Sequence, residues 1–265
     1  MIIYDLSGNK AKEISLPSQL NEPYHPNLIK RAVLAIQSNK RQSYGSKTDA
    51  GMRHSAKTSK RRKEYRGSYG KSLARVPRKV MWHRGTQFSW EGAIAPGTKG
   101  GRKAHPPKAE KDTKVKINRK ERRKAIRSAL STTFNETLVK KRNHIFKLFP
   151  LIVINDIESL KKAKEVHLAL EKLGLKEELE RTSIKKVRAG KGKARGRKYK
   201  KKTGPLIVVS ESCSLSKAGK NIPGVEIAKI DKLNTELLAP GAHPGRLTIY
   251  SEKAIEKLTK ENLYL

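Results

Sequence analysis

At 265 residues, with 61 Lys and Arg against 24 Asp and Glu, the chain carries a formal charge of +37 and a pI near 10.4. Its 35% hydrophobic content is low, no apolar run approaches the ~18 residues of a membrane span, and the single cysteine, Cys213, forbids an intrachain disulfide. A membrane role and a disulfide framework are therefore excluded, and a phosphate-rich partner is implied, because such charge repels itself unless it is neutralised. The opening Met1-Ile2-Ile3-Tyr4-Asp5 has neither a basic leader nor an apolar signal core, so the expected compartment is the cytoplasm.

Residues 1–6 are apolar and β-branched, Ser7-Gly8-Asn9-Lys10 is a turn signal, and 12–16 alternate weakly, which predicts a short hairpin at a sheet edge. After Pro23 and Pro26, Leu28, Ile29, Ala32, Val33 and Ile36 recur at helical spacing, and the helix should end near Asn39.

Residues 42–111 break with this pattern. They hold 18 Lys and Arg against 4 acids, nine glycines, and only Leu73, Val76, Val80 and Ile94 as aliphatics larger than alanine, too little to offset the ordering entropy alone. Yet Tyr44, Tyr65, Tyr69, Trp82, Phe88 and Trp90 are spaced among the cations, which suits stacking on nucleobases. Pro77, Pro96, Pro106 and Pro107, with the glycines of 67–70 and 97–101, predict an irregular, extended arm that folds onto a polyanion.

Periodicity returns at Asn118, with Ile126, Ala129, Leu130, Phe134 and Leu138 on one stripe and Arg119, Lys120, Arg122, Arg123 and Arg127 crowding the first turns. That charge opposes the helix dipole and asks for an outside anion. An apolar strand at 148–154 leads through Asn155 or Asp156 as cap into a helix bearing Ile157, Leu160, Ala163, Val166, Leu170 and Leu173, closed by Gly174. Residues 185–202 hold 11 Lys and Arg and no acid, and Gly190, Gly192 and Gly196 make them a flexible cationic surface loop. Strands at 206–209, 225–230 and 247–250, with helical pieces at 231–238 and 251–258, complete the chain. The expected fold is a three-layer α/β/α domain with a mostly parallel sheet of about four strands, built from 1–41 and 112–265, with the arm inserted in it.

A nucleotide-binding enzyme is the natural alternative for such a core, but its marks are missing. Gly97 to Gly101 lacks the P-loop order, and in Ala218-Gly219-Lys220-Asn221 a serine, Ser214, stands where the first glycine belongs. Ser210, Asp231 and His243 have only their residue types to recommend them as a triad. The histidines form no i, i+4 pair, so no metal site is expected, and His54, His83 and His105 lie among cations, where contact with bases or phosphates is the better reading. A solvated face is the usual meaning of a single lysine-rich helix, but here the density and the interleaved aromatics argue against it. The arm's candidate contacts with RNA are Tyr44, Arg53, Lys57, Arg75, Arg78, Lys79, Trp82, Arg84, Trp90, Lys99, Arg102, Lys103 and His105. Outside it they are Arg119, Arg122, Arg123 and Arg127, and Lys193, Arg195 and Arg197 in the second basic segment.

Several runs resemble a known family. Gln42-Ser43-Tyr44-Gly45, Ala50-Gly51, Leu73-Ala74-Arg75-Val76-Pro77-Arg78 and Gly100-Gly101-Arg102-Lys103-Ala104-His105-Pro106-Pro107 are similar to the extended-loop signatures of large-subunit ribosomal protein L four in its archaeal form. The helix beginning Asn118-Arg119-Lys120-Glu121 and the segment Asp231-Lys232-Leu233-Asn234-Thr235-Glu236 resemble the family as well. The resemblance implies a non-enzymatic constituent of the large ribosomal subunit. It would bind large-subunit rRNA, aid early assembly and line the polypeptide exit tunnel, with Gly67, Ser68, Tyr69, Gly70, Lys71 and Ser72 as the tunnel tip. Implied partners are the rRNA, neighbouring proteins including L twenty-two at the tunnel constriction, and the nascent peptide, without a membrane or a homo-oligomer. No cofactor is implied beyond structural Mg or K ions of the rRNA. The alternative is a free RNA chaperone or a nucleic-acid-compacting protein.

Overall fold

The apolar start of the chain forms β1 (Ile2–Tyr4), which turns back antiparallel on β2 (Lys10–Glu13). This computed structural model describes residues 1–58, 60–65 and 67–265, and the chain divides into two compact units, 1–40 with 114–265 and 41–113. Helix α1 (Pro26–Lys40) starts on a proline, whose missing N–H costs nothing at that position, and buries Ile29, Ala32, Val33 and Ala35. The second unit contributes β3 (Arg78–Arg84) and β4 (Gln87–Gly92).

Helix α2 (Arg119–Thr133) buries the predicted stripe of Ile126, Ala129 and Leu130, but stops before Leu138. There the Asn135 side chain accepts from the backbone N–H groups of Thr137 and Leu138 and caps a separate α3 (Glu136–Lys141). Strand β5 (Leu151–Val153) follows. The single helix expected from Ile157 to Leu173 is divided: a 3-10 turn over Asn155–Ser159 precedes α4 (Ala163–Leu170). The backbone runs extended at Leu160 (ψ 128°) between the two, and the Glu158 carboxylate of the turn is tied to Ser210 and Ser251. Gly174 closes the segment as expected, at φ +77°, where a Cβ would lie 2.8 Å from Lys147 Cβ. Helix α5 (Lys176–Ser183) comes next.

The second basic segment is more ordered than a flexible loop. Strands β6 (Lys186–Val187) and β7 (Tyr199–Lys200) pair antiparallel around a turn with Gly196 at φ +76°. The remaining elements are β8 (Leu206–Val209), α6 (Leu215–Ala218), β9 (Glu226–Lys229), α7 (Thr235–Leu238), β10 (Thr248–Ser251) and α8 (Glu252–Lys260).

The main sheet has six strands in the order β2-β1-β5-β10-β8-β9, with every pairing parallel except β1 with β2. It exceeds the expected four because the N-terminal hairpin joins it through Ile3 opposite Ile152 and Tyr4 opposite Val153. Successive side chains point to opposite faces. Ile3, Ile152, Leu206, Val208 and Tyr250 pack with Ile29, Val33, Leu130 and Ile255, whereas Leu151, Val153, Ile207, Val209 and Ile249 pack with Val166, Leu170, Leu179 and Leu215. Both faces are covered by helices, which is why β5 and β8 are unbroken apolar runs and why the fold is a three-layer α/β sandwich.

Candidate nucleic-acid interface

In open α/β sheets ligands usually sit beyond the carboxyl ends of the strands. In this chain that crevice is filled from within. The Glu158 carboxylate accepts from the Ser210 N–H (2.8 Å) and Oγ (2.9 Å) after β8, and from Ser251 Oγ (2.6 Å) at the end of β10. Ser210 follows the carboxyl end of β8 while His243 precedes the amino end of β10, so the two lie at opposite ends of parallel strands. Asp231 is bonded to Lys257 at 2.8 Å, and no triad assembles. Among the described residues no three His, Cys, Asp or Glu side chains gather in a metal-binding arrangement. No helix of the described residues is long and apolar enough to cross a membrane.

The arm departs from the irregular, extended form its composition predicts. Strands β3 and β4 form an antiparallel hairpin, with Val80 opposite Trp90 and His83 opposite Phe88, about a turn at Gly85 (φ +53°). The signal was present in the sequence: Val80, Trp82, Phe88 and Trp90 flank Gly85-Thr86. It is masked by the surrounding cations. An irregularity in the pairing falls at Met81, and Met81 and Trp82 are exposed.

Aromatic contacts take the place of an aliphatic core in this unit. The Phe88 ring lies 5.2 Å from Tyr65 and 5.2 Å from Trp90, with His83 at 5.7 Å. Lys71 Nζ sits 5.1 Å from the Phe88 centroid and 4.9 Å from that of Trp90, so one ammonium caps the pair. Tyr69 is flanked by Arg62 at 5.1 Å and Arg75 at 5.3 Å, and Arg62 donates to its hydroxyl at 3.0 Å. In the expected tip, Gly70 (φ +78°) and Ser72 (φ +54°) make the bend, and Gly67 and Ser68 are buried. Tyr65 and Phe88, read from the sequence as rings suited to stacking on bases, pack on each other instead, and with Arg62, which the sequence reading did not single out, they hold this region together.

The other arm candidates divide by their engagement. Trp90 is half-buried, whereas Tyr44 and Trp82 each keep more than half of their surface exposed, with Arg41 5.4 Å from the Tyr44 ring. Arg53 is paired with Asp49 at 2.7 and 2.9 Å, a bond that holds the Asp49 carboxyl below the usual range. Lys79 faces Glu91 at 3.9 Å, Lys57 bridges by its backbone to Arg78, and Arg78 donates to the Ala74 carbonyl at 3.1 Å. Arg75, Arg84, Lys99, Arg102, Lys103 and His105 are exposed. Thr58 Oγ1, Arg78 Nε and Trp90 Nε1 are shut from solvent and have no hydrogen-bond partner among the described residues, and all three residues line one cavity of about 760 Å³.

The outgoing and returning limbs of the arm meet where Gly51, at φ +79°, faces Arg102. A Cβ on Gly51 would lie 2.5 Å from the Arg102 backbone nitrogen. Gly51→Ala should therefore loosen the arm selectively, because it combines a left-handed backbone with a clash against main chain. Limited proteolysis should show faster cleavage within 41–113 while the melting of the other unit is unchanged.

On the other unit, α2 uses part of its charge internally. Arg127 Nε bonds Glu22 at 2.9 Å and its Nη1 bonds the Tyr264 carbonyl at 2.7 Å, while Arg123 donates to the Leu265 carbonyl. Arg119, Lys120 and Arg122 remain exposed for an outside anion. Lys193, Arg195 and Arg197 cluster at the exposed turn joining β6 and β7.

Comparison with known proteins gives a consistent result. A family profile described as the ribosomal protein L4/L1 family matches residues 14–261. The large ribosomal subunit protein uL4 of Nanoarchaeum equitans is 51% identical over 263 residues, covering 99% of this chain and 98% of the relative. The proteins of the same name from Methanococcoides burtonii and Archaeoglobus fulgidus are 44% and 42% identical, over 99% and 97% of this chain and 98% and 96% of their own.

Proposed function

The chain belongs to the ribosomal protein L4/L1 family, a structural and non-enzymatic family of the large ribosomal subunit, and from that premise we propose that it binds large-subunit rRNA through its arm, supports early subunit assembly and lines the exit tunnel. One observation carries the reading: the arm holds 18 cations against 4 acids, so most of its charge has no carboxylate within the unit to meet. Phosphates supply the missing anions. Arg75, Arg78, Arg102 and Lys103 would fix the arm's register on the backbone, with guanidiniums suited to bidentate contact. Tyr44 and Trp82 offer open ring faces for bases, while Trp90 is already packed on Phe88 and under Lys71 with its indole N–H shut from solvent, so it would brace the hairpin and reach RNA only by giving up those contacts. Tyr69 and Lys71 would approach the tunnel only by exchanging their present contacts for RNA or peptide ones. The partners would be the rRNA, neighbouring proteins including L twenty-two, and the nascent peptide. The site would need no cofactor beyond the Mg and K ions of the rRNA.

Co-sedimentation tests this. The protein should travel with large subunits in one-to-one amount and stay there in about 0.5 M salt, where simple phosphate contacts are strongly weakened. Release at moderate salt, with equal affinity for any RNA, would favour a free RNA chaperone.

A further inference from the structure

We propose that a groove on the sheet-bearing unit holds one unstacked nucleotide of a folded RNA, with its base against Tyr24 and Ile184 and its phosphate among Lys200, Lys201 and Lys202; this rests on the RNA-binding reading of the chain. The groove encloses about 740 Å³ between the end of α3, the end of α5, the base of the β6–β7 hairpin and the loop before β10. That volume falls within the roughly 300–1,000 Å³ of pockets for small ligands.

Two kinds of side chain line it. Lys141, Arg142, Lys186 and the three lysines 200–202 bring positive charge, and the described lining contains no Asp or Glu. Tyr24, Leu138 and Ile184 bring apolar surface, and Tyr24 and Ile184 are each about half exposed although both are large. A patch meant only to be solvated would not need this apolar surface. A nucleotide requires both, a flat apolar base and an anionic phosphate, and single-stranded RNA is recognised by that combination of stacking and charge.

The floor of the groove argues the same way. Arg142 donates to the carbonyls of His243 and Pro240 (the latter at 2.8 Å), and among the described residues no carboxylate bonds it. Burial, together with the nearby Arg246 and Arg181 guanidiniums, pushes its pKa down to about 10. At neutral pH it therefore stays charged without a counterion of its own, an arrangement that an incoming phosphate relieves. Arg181 differs, since Glu178 compensates it. The sequence pointed to Lys193, Arg195 and Arg197, at the turn of the same hairpin, because composition could not tell that its base is folded against the ends of α3 and α5.

The test uses the full-length protein and a large-subunit rRNA transcript. Ultraviolet cross-linking should attach RNA to Tyr24, and Tyr24→Leu should remove that cross-link and weaken binding at least about fivefold, the lower end of one stacked base. Replacing Lys200, Lys201 and Lys202 with Gln should reduce the salt slope of binding by about 1, the contribution of the one phosphate they share. The control replaces Lys161, Lys164 and Lys172, exposed lysines outside the groove, and should change the slope far less. Equal slopes for the two triple variants, or cross-links confined to the arm tyrosines, would overturn the groove while leaving the arm's RNA binding intact. Saturable binding of free AMP in the groove that the transcript does not displace would overturn the assignment to RNA. A wild-type chain that prefers no rRNA would instead overturn the RNA-binding reading itself.

Discussion

Replacing Glu178 with alanine should destabilise the sheet-bearing unit by about 3–5 kcal/mol, the usual cost of removing one partner from a buried ion pair. The Glu178 side chain is fully buried and accepts from Arg181 Nε at 2.8 Å and Nη2 at 2.6 Å, from His144 Nδ1 at 2.7 Å and from the Ile145 N–H at 3.1 Å. Alanine would leave all of these donors behind in a dry interior. Glu178→Gln, which keeps the shape and one acceptor, should cost less. Equilibrium urea unfolding of the three proteins measures the order, and an alanine variant within 1 kcal/mol of wild type would refute the network's role.

The same network gives a pH dependence with a definite sign. Burial alone would raise the Glu178 pKa, but the bonds from His144 and Arg181 outweigh it and hold the carboxyl below its usual value. For His144, burial pushes the pKa down and outweighs the bond to Glu178. With Nδ1–H donated to Glu178, Nε2 is the buried nitrogen without a partner, so protonation would put an unpaired N–H in the core. Both groups have depressed folded-state pKa values. Their stabilising contribution is therefore complete above the unfolded-state values and is lost as pH falls. Stability should decline first below about pH 6.5, where the unfolded chain takes up the His144 proton, and more steeply below about 4.5, where it takes up that of Glu178. Glu178→Ala should remove the lower step.

Deleting residues 46–108 should have the largest functional effect. The deletion takes away 17 Lys and Arg and 3 acids, and with them the exposed rings of Tyr65, Tyr69 and Trp82. A protein making six to ten phosphate contacts loses roughly 10³–10⁵ in affinity between 50 and 200 mM salt. The full chain should show a dependence of that order on large-subunit rRNA, and the deletion variant a much shallower one. In cells the variant should fail to enter large subunits stoichiometrically, and stalling that depends on the tunnel should change. Normal assembly and unchanged stalling would refute the arm's proposed role. Because the arm is its own compact unit, the apolar layers around the main sheet do not include it, and the melting of that sheet should survive the deletion.

The two layers of the core were legible because their cause is local. Residues 151–153 and 206–209 are apolar without interruption, as strands buried on both faces must be, and the stripes on α1 and α2 repeat at the helical period. Gly174 was readable as a helix end because only a residue without a Cβ sits easily at φ +77°. The charge of the arm and the runs shared with the family were visible for the same reason: they are properties of consecutive residues.

Tertiary structure decided what depends on residues distant in sequence. The turn at Asn155–Ser159 is tied down by residues far along the chain, since Ser210 and Ser251, 52 and 93 residues away, bind the Glu158 carboxylate. Arg127 reads as a cation awaiting an outside anion until Glu22 and the Tyr264 carbonyl claim it. The strands of the arm's hairpin carry a local signal about Gly85-Thr86, but the packing of Tyr65 and Lys71 onto Phe88 and Trp90 joins residues that no local pattern links. Sequence by itself determined the layered α/β core and the need for a polyanion, since burial period and net charge are sums along the chain. Which cations stay available to meet that polyanion was decided only in three dimensions, because pairing and desolvation depend on what each side chain finds beside it after folding.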